Sequence, residues 1–236
     1  MKKIFICLLL IFILAGCYYK APATLPKEQQ NELKSFVEKY EMLMTYTIVP
    51  KEIVMLTYNK NKEMDEYNYF RKLPAELQLK YMELYWEMRS EILKKEYEER
   101  VAIANKLFKQ ERTNDAYKTD RGWILVICGF PDYVDTYKTD NRGDTTFTFE
   151  DDLLWEDPTV SVFQLWKYWY SPTSFLNHLI VFRFDYNFAQ KIWRINEQQL
   201  DTEQIRFIYH QAEHFAPLEW DSWEQVLTRY KEGLDK

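Results

Sequence analysis

Apolar residues recur at helical spacing through the first half of the chain and change to strand-like alternation beyond Trp123. Leu33, Phe36, Val37, Tyr40, Leu43 and Met44 share one face of a 3.6-residue repeat, which predicts an amphipathic helix. Pro50 can open a short second helix through Ile53, Val54 and Met55. The β-branched stretch from Tyr46 to Val49 fits a helix or a strand, and Asn59-Lys60-Asn61-Lys62 breaks the pattern. Pro74 then starts the strongest helical stripe: Leu77, Tyr81, Leu84, Tyr85, Met88 and Ile92. The stripe slips by one residue into Leu93, Tyr97, Val101, Ala104 and Phe108, so a kink, bulge or break is expected near Ser90.

The stretch from Ala116 to Val134 is the organising centre of this pattern. Trp123 to Cys128 carry no polar side chain and are bounded by Thr119-Asp120-Arg121-Gly122 and by Gly129-Phe130-Pro131-Asp132. Such a run predicts a strand buried on both faces with a specified turn at each end. Tyr133 to Thr139 and Thr145 to Glu150 flank the turn signal Asp140-Asn141-Arg142-Gly143 and predict a hairpin. Val160 to Tyr170 reads as a further strand, and Leu179 to Phe184 with Lys191 to Ile195 as a second hairpin. Asp201 with Gln204, then Asp221 with Glu224, are capping signals for two closing helices. The first carries Ile205, Ile208 and Ala212; the second carries Trp223, Val226, Leu227 and Tyr230. The expected fold class is α+β: a helical N-terminal half packed on a mainly antiparallel β-sheet, with two C-terminal helices.

The N-terminus changes how much of the chain belongs to that fold. Lys2 and Lys3 precede an apolar segment from Ile4 to Leu14, too short to span a bilayer core, which needs about 20 residues. Leu14-Ala15-Gly16-Cys17 follows and resembles the lipobox of bacterial lipoproteins. The resemblance implies removal of residues 1–16, lipidation of Cys17 and, with Tyr18 after it, delivery to the outer membrane facing the periplasm. An ordinary signal peptide with a chance cysteine, or an uncleaved anchor, is the plain alternative. The formal net charge of −6 becomes more negative once the two lysines are removed, and the chain has no basic block, which excludes nucleic acid as a partner. Of three cysteines, Cys7 would be lost and Cys17 lipidated, leaving Cys128 inside the apolar run as inert packing with no disulfide partner.

The central stretch also resembles the GWxTD domain of bacterial, often lipoprotein-type, sequences. Ala116-Tyr117-Lys118-Thr119-Asp120 stands where that family has Gly-Trp-x-Thr-Asp, and Arg121-Gly122, the apolar run and Gly129-x-Pro131-Asp132 continue the pattern. Tyr85-Trp86-Glu87-Met88-Arg89 matches an aromatic-Trp-x-x-Arg segment, and Glu96-Tyr97 through Arg100 to Ala104-Asn105 its following helix. Arg89-Ser90-Glu91 replaces the usual Arg-Asp-Pro, which removes the helix-breaking proline. The resemblance covers Leu73 to Ile195 and implies no known reaction. It organises the chain as a signal peptide (1–16), a tether (17–26), an N-terminal helical segment (27–72), the GWxTD-like region (73–195) and C-terminal helices (196–236).

Candidate chemistry is sparse. Asp120 and Asp132 invite reading as paired carboxylates, yet an extended strand between Asp120 and Gly129 would separate them by up to roughly 30 Å, against about 5 to 10 Å for a working pair. They are expected instead to accept backbone N–H bonds in turns, with Gly122 and Gly129 supplying permissive dihedrals, Pro131 fixing a turn and Arg121 pairing locally. His210-Gln211-Ala212-Glu213-His214 matches the H-x-x-E-H pattern of zinc peptidases, in which His210 and His214 would bind zinc and Glu213 act as base. The third ligand is unspecified and both histidines lie off the apolar stripe, so a solvated helix face is preferred and no metal or cofactor is expected. Trp166, Trp169 and Tyr170 lie in an aromatic strand that could present a surface to a protein partner or to sugars. The acidic run from Glu150 to Asp157 lacks the spacing of a calcium loop.

These readings converge on a lipid-anchored envelope protein that acts as a binding or assembly module for a protein partner. A zinc-dependent peptidase and a carbohydrate-binding module are the alternatives.

Overall fold

The computed structural model describes residues 19–139, 145–147, 161–173, 176–218 and 220–234. Cys17, the turn Asp140 to Gly143 and the acidic run from Glu150 to Asp157 lie outside them. The described residues form two compact units, one drawn from residues 19–45, 49–85 and 221–234, the other from 46–48 and the described part of 86–220.

In the first unit, helix α1 (Lys27–Tyr46) buries Leu33, Phe36, Val37, Tyr40, Leu43 and Met44, the six positions its periodicity marks. Each such side chain contributes about 1.5–3 kcal/mol on full burial. Ile48–Val49 is a two-residue strand, which resolves that β-branched stretch. Pro50 precedes α2 (Lys51–Tyr58), and Asn59 in the left-handed region ends it. Asp65 caps α3 (Glu66–Lys72) by accepting the Asn68 N–H at 2.8 Å. Pro74 precedes α4 (Ala75–Leu84). The core here is aromatic: Phe36 meets Tyr85 edge-on at 5.0 Å, and Tyr81 meets Trp223 of the last helix, α8 (Asp221–Leu234), at 4.9 Å. Three polar tips in this core find internal partners. Trp223 donates to the Tyr69 hydroxyl at 3.0 Å, Tyr81 to the buried Glu66 carboxylate, and Tyr19 to Gln78.

In the second unit, the expected interruption at Ser90 is a full break. Ser90 sits at φ 154° and caps α5 (Glu91–Leu107), accepting the Leu93 N–H at 3.3 Å. Leu93, Tyr97 and Ala104 are buried along α5, whereas Ile92 is 79% exposed and does not belong to the stripe.

The run from Trp123 to Cys128 corrects the strand expected there: it is α6 (Asp120–Cys128), a nine-residue helix buried at Ile124, Leu125, Val126, Ile127 and Cys128. A helix surrounded by core is apolar on every side and loses the 3.6-residue contrast that marks an amphipathic one. Its start signal, Thr-Asp, serves equally well for a turn.

The sheet has five antiparallel strands among the described residues: β1 (Tyr133–Thr139), β2 (Thr145–Phe147), β3 (Ser161–Thr173), β4 (Leu176–Asn187) and β5 (Ile192–Ile195), in spatial order β2-β1-β3-β4-β5. Both expected hairpins are present as strand pairs, with Tyr137 opposite Phe147 and Asp185 opposite Arg194. The long pair, β3 with β4, runs from Phe163 opposite Asp185 to Thr173 opposite Leu176. Alternation sends Val162, Gln164, Trp166 and Tyr168 inward, where Trp166 packs on Phe108 at 5.9 Å and on Phe184 at 5.0 Å. Helix α7 (Thr202–Glu213) carries the expected capping box of Asp201 and Gln204 and buries Phe207, Ile208 and Ala212. Ile205, expected on that stripe, is exposed. No described helix is long and apolar enough to cross a membrane.

Candidate functional site

The residues around α6 form a connected polar network in the second unit. At its N-terminus, the Thr119 hydroxyl donates to the Ala116 carbonyl at 2.8 Å and accepts the Gly122 N–H at 3.2 Å, an N-cap that satisfies one orphan helix donor. Ala116–Lys118 is a single 3-10 turn packed against this first helical turn. A Cβ at Gly122 would lie 2.3 Å from the Ala116 carbonyl oxygen, so glycine is needed there for close approach within a helix, not for a turn dihedral.

Asp120 and Arg121 reach away from the helix. The Asp120 carboxylate accepts the Ile195 N–H of β5 at 2.8 Å and lies 3.5 Å from Arg194. Arg121 donates through Nε at 2.8 Å to Glu111, which it also meets through Nη2 at 2.7 Å, and through Nη1 at 2.8 Å to Gln164. Its guanidinium lies over the rings of Phe108 at 4.7 Å and Trp193 at 4.8 Å. The other Glu111 oxygen accepts the Trp193 N–H at 3.1 Å. Gln164 donates in turn to Thr136 at 3.1 Å. Burial pushes the carboxyls of both Glu111 and Asp120 above the ordinary carboxylate range. Arg121 beside the first, and the Ile195 N–H with Arg194 beside the second, offset part of that rise.

The C-terminus of α6 is held differently. Gly129, at φ 79°, ends the helix and donates to the Leu125 carbonyl at 2.9 Å. Arg100 of α5 donates to the Val126 and Ile127 carbonyls at 3.1 and 3.2 Å, placing a cation where the helix dipole is negative. Arg100 also pairs with Glu96 at 2.6 Å, and the other Glu96 oxygen meets His214 at 2.9 Å. Burial raises the Glu96 carboxyl, but His214 and Arg100 outweigh it and hold the group below its ordinary range. Burial pushes the Cys128 thiol far up, consistent with an inert core cysteine.

Asp132 accepts the Trp169 N–H at 2.6 Å and donates its own N–H to the Lys167 carbonyl at 2.9 Å, fixing the Gly129-Phe130-Pro131-Asp132 corner to β3. Tyr168 bonds the Gly129 carbonyl at 3.1 Å. Asp120 and Asp132 therefore each hold sheet backbone, but from opposite ends of a helix that rises about 13 Å. They share no site. The named polar atoms of Asp120, Arg121 and Glu111 are committed to protein partners, which suits a structural joint more than proton transfer.

His210 meets the ring of Tyr170 at 5.0 Å, His214 faces Glu96, and Glu213 is exposed. Among the described residues no group of three or more His, Cys, Asp or Glu side chains could hold a metal ion. The aromatic strand divides by face. Trp166, proposed from sequence as part of a partner surface, is 4% exposed and belongs to the core; Trp169 is 56% exposed and Tyr170 half-buried.

Arg100 lies in the segment matched to the family's helix, whereas Glu111 and Gln164 carry no motif. Of those two, Gln164 has a signal, as the polar residue at an inward position between Val162 and Trp166. A protein-family model, that of the GWxTD domain, matches residues 16–152, more than half of the chain. The match begins and ends earlier than the motif resemblance, taking in α1 to α4 and stopping before β3. No curated protein and no solved structure matches the chain.

Proposed function

The chain belongs to the GWxTD domain family, and from that premise we propose that it is a lipid-anchored cell-envelope binding module whose docking surface for a protein partner is the outer face of the sheet. The observation that carries this reading is an exposed aromatic and aliphatic cluster in cross-strand register. Trp169 stands directly opposite Leu179, and Tyr133, 59% exposed, is opposite Lys167 on the same face. Phe130, in the corner leading into β1, is also exposed. Further along the face Tyr137 stacks on Phe163 at 5.2 Å, with Arg183 over the Phe163 ring at 4.1 Å.

The charges of this face are already matched. Lys167 pairs with Asp135, and Arg183 with Asp185 at 2.8 Å, so a docking partner need not leave a lone buried charge. Apolar surface of this kind, rimmed by paired charges, is characteristic of protein interaction sites. The Leu14-Ala15-Gly16-Cys17 pattern supports envelope delivery through acylation of Cys17.

Two experiments test the reading. A photo-crosslinking residue at position 169 in cells should give a discrete adduct, and one at the exposed Ile92 should give none; adducts at both, or at neither, would reject the docking surface. Labelled fatty acid should enter the wild-type chain and not Cys17→Ala, and equal labelling would reject the anchor.

A further inference from the structure

We propose that Glu111 and Asp120 form a two-point clasp that makes β5 a releasable strap, held at the edge of the sheet by side chains in place of a neighbouring strand. β5 has only four residues and pairs with β4 on one side, from Ile192 opposite Asn187 to Ile195 opposite Phe184. Asn196 continues that side by donating to the Arg183 carbonyl at 2.7 Å. In an antiparallel strand alternate residues point their backbone groups to alternate sides. Trp193 and Ile195 accordingly turn their N–H groups away from β4, and these are the two taken by the Glu111 and Asp120 carboxylates, at 3.1 and 2.8 Å. An edge strand otherwise exposes such donors.

The clasp is built from different parts of the chain. Asp120 opens α6 and Glu111 follows α5, and Arg121 ties them together by neutralising Glu111 and lying over the Trp193 ring. The strap is entered through a turn that places Lys191 at φ 56°, in the left-handed region. A four-residue ladder and the buried Trp193 ring hold β5 on the sheet, and the two clasp bonds close its free edge, so opening of that edge can be followed apart from unfolding of the unit. This inference does not depend on the docking surface.

Hydrogen exchange of the full chain, followed at Trp193 and Ile195, tests it. In Asp120→Ala the strap amides should exchange about tenfold faster or more than in the wild type, with little denaturant dependence, while β3 and β4 amides keep their rates. Asp120→Asn retains a carbonyl acceptor and should stay within about threefold of the wild type. Unchanged strap exchange in Asp120→Ala would overturn the clasp. Acceleration spread equally over β3 and β4, or Asp120→Asn as fast as Asp120→Ala, would overturn it too.

Discussion

The two ends of α6 are anchored by opposite strategies. At the N-terminus the helix supplies the groups: Thr119 caps its own first turn, while Asp120 and Arg121 reach out to β5, to Glu111 and to β3. At the C-terminus the helix receives them, since Arg100 arrives from α5 to hold the last carbonyls and Tyr168 from β3 to hold Gly129. The outward-reaching end buries its carboxylates at a cost, whereas the receiving end keeps Glu96 half-open and doubly paired. A helix of nine residues is too short to persist on propensity. It exists because both ends are secured by distant residues.

That contrast can be broken from its stronger side first. Arg121→Met leaves Glu111 buried and unpaired, with 3% of its side chain exposed, and should cost about 3–5 kcal/mol in denaturant unfolding. Arg100→Met removes charged bonds to the carbonyls of the fully buried Val126 and Ile127, and should cost about 1.5–3 kcal/mol by the same measurement. Gly122→Ala drives a methyl into the Ala116 carbonyl and should cost about 1–3 kcal/mol. Thr119→Ala removes only a cap and should cost about 1 kcal/mol.

Titration sharpens the comparison without removing an element. Glu96 has a lowered carboxyl, so it stabilises the fold above its unfolded pKa and loses that contribution as pH falls through the folded value. The advantage of the wild type over Glu96→Gln should therefore be largest at neutral pH and vanish in acid. Asp120 is raised, so the folded state binds its proton more tightly and the wild type loses stability relative to Asp120→Asn as pH rises through the folded value. Equilibrium unfolding across the carboxylate range should show these two difference curves with opposite slopes. Slopes of the same sign would erase the distinction between the ends.

Much of the helical framework was legible because its signals are local. The six buried positions of α1 and the Asp201–Gln204 box of α7 lie within a few residues of one another. The break at Ser90 was readable as a slip in phase even without the proline. α6 was misread because its apolar residues face core in every direction, and because Gly122 reports a close contact with Ala116, not a dihedral. The network was hidden for another reason. Arg121 meets Glu111 across ten residues and Gln164 across 43, and nothing in a single sequence couples positions that far apart.

Cys128, at the last turn of α6, turns this architecture into a measurable clock. Its thiol is buried and its ionisation suppressed, so an alkylating reagent can reach it only when that turn opens. The labelling rate of the Cys128 peptide under native conditions then reads the population of the opened turn, and its opening rate once the reagent is concentrated enough to outpace reclosing. The molecule carries its own opening sensor, and no probe has to be engineered into the joint being timed.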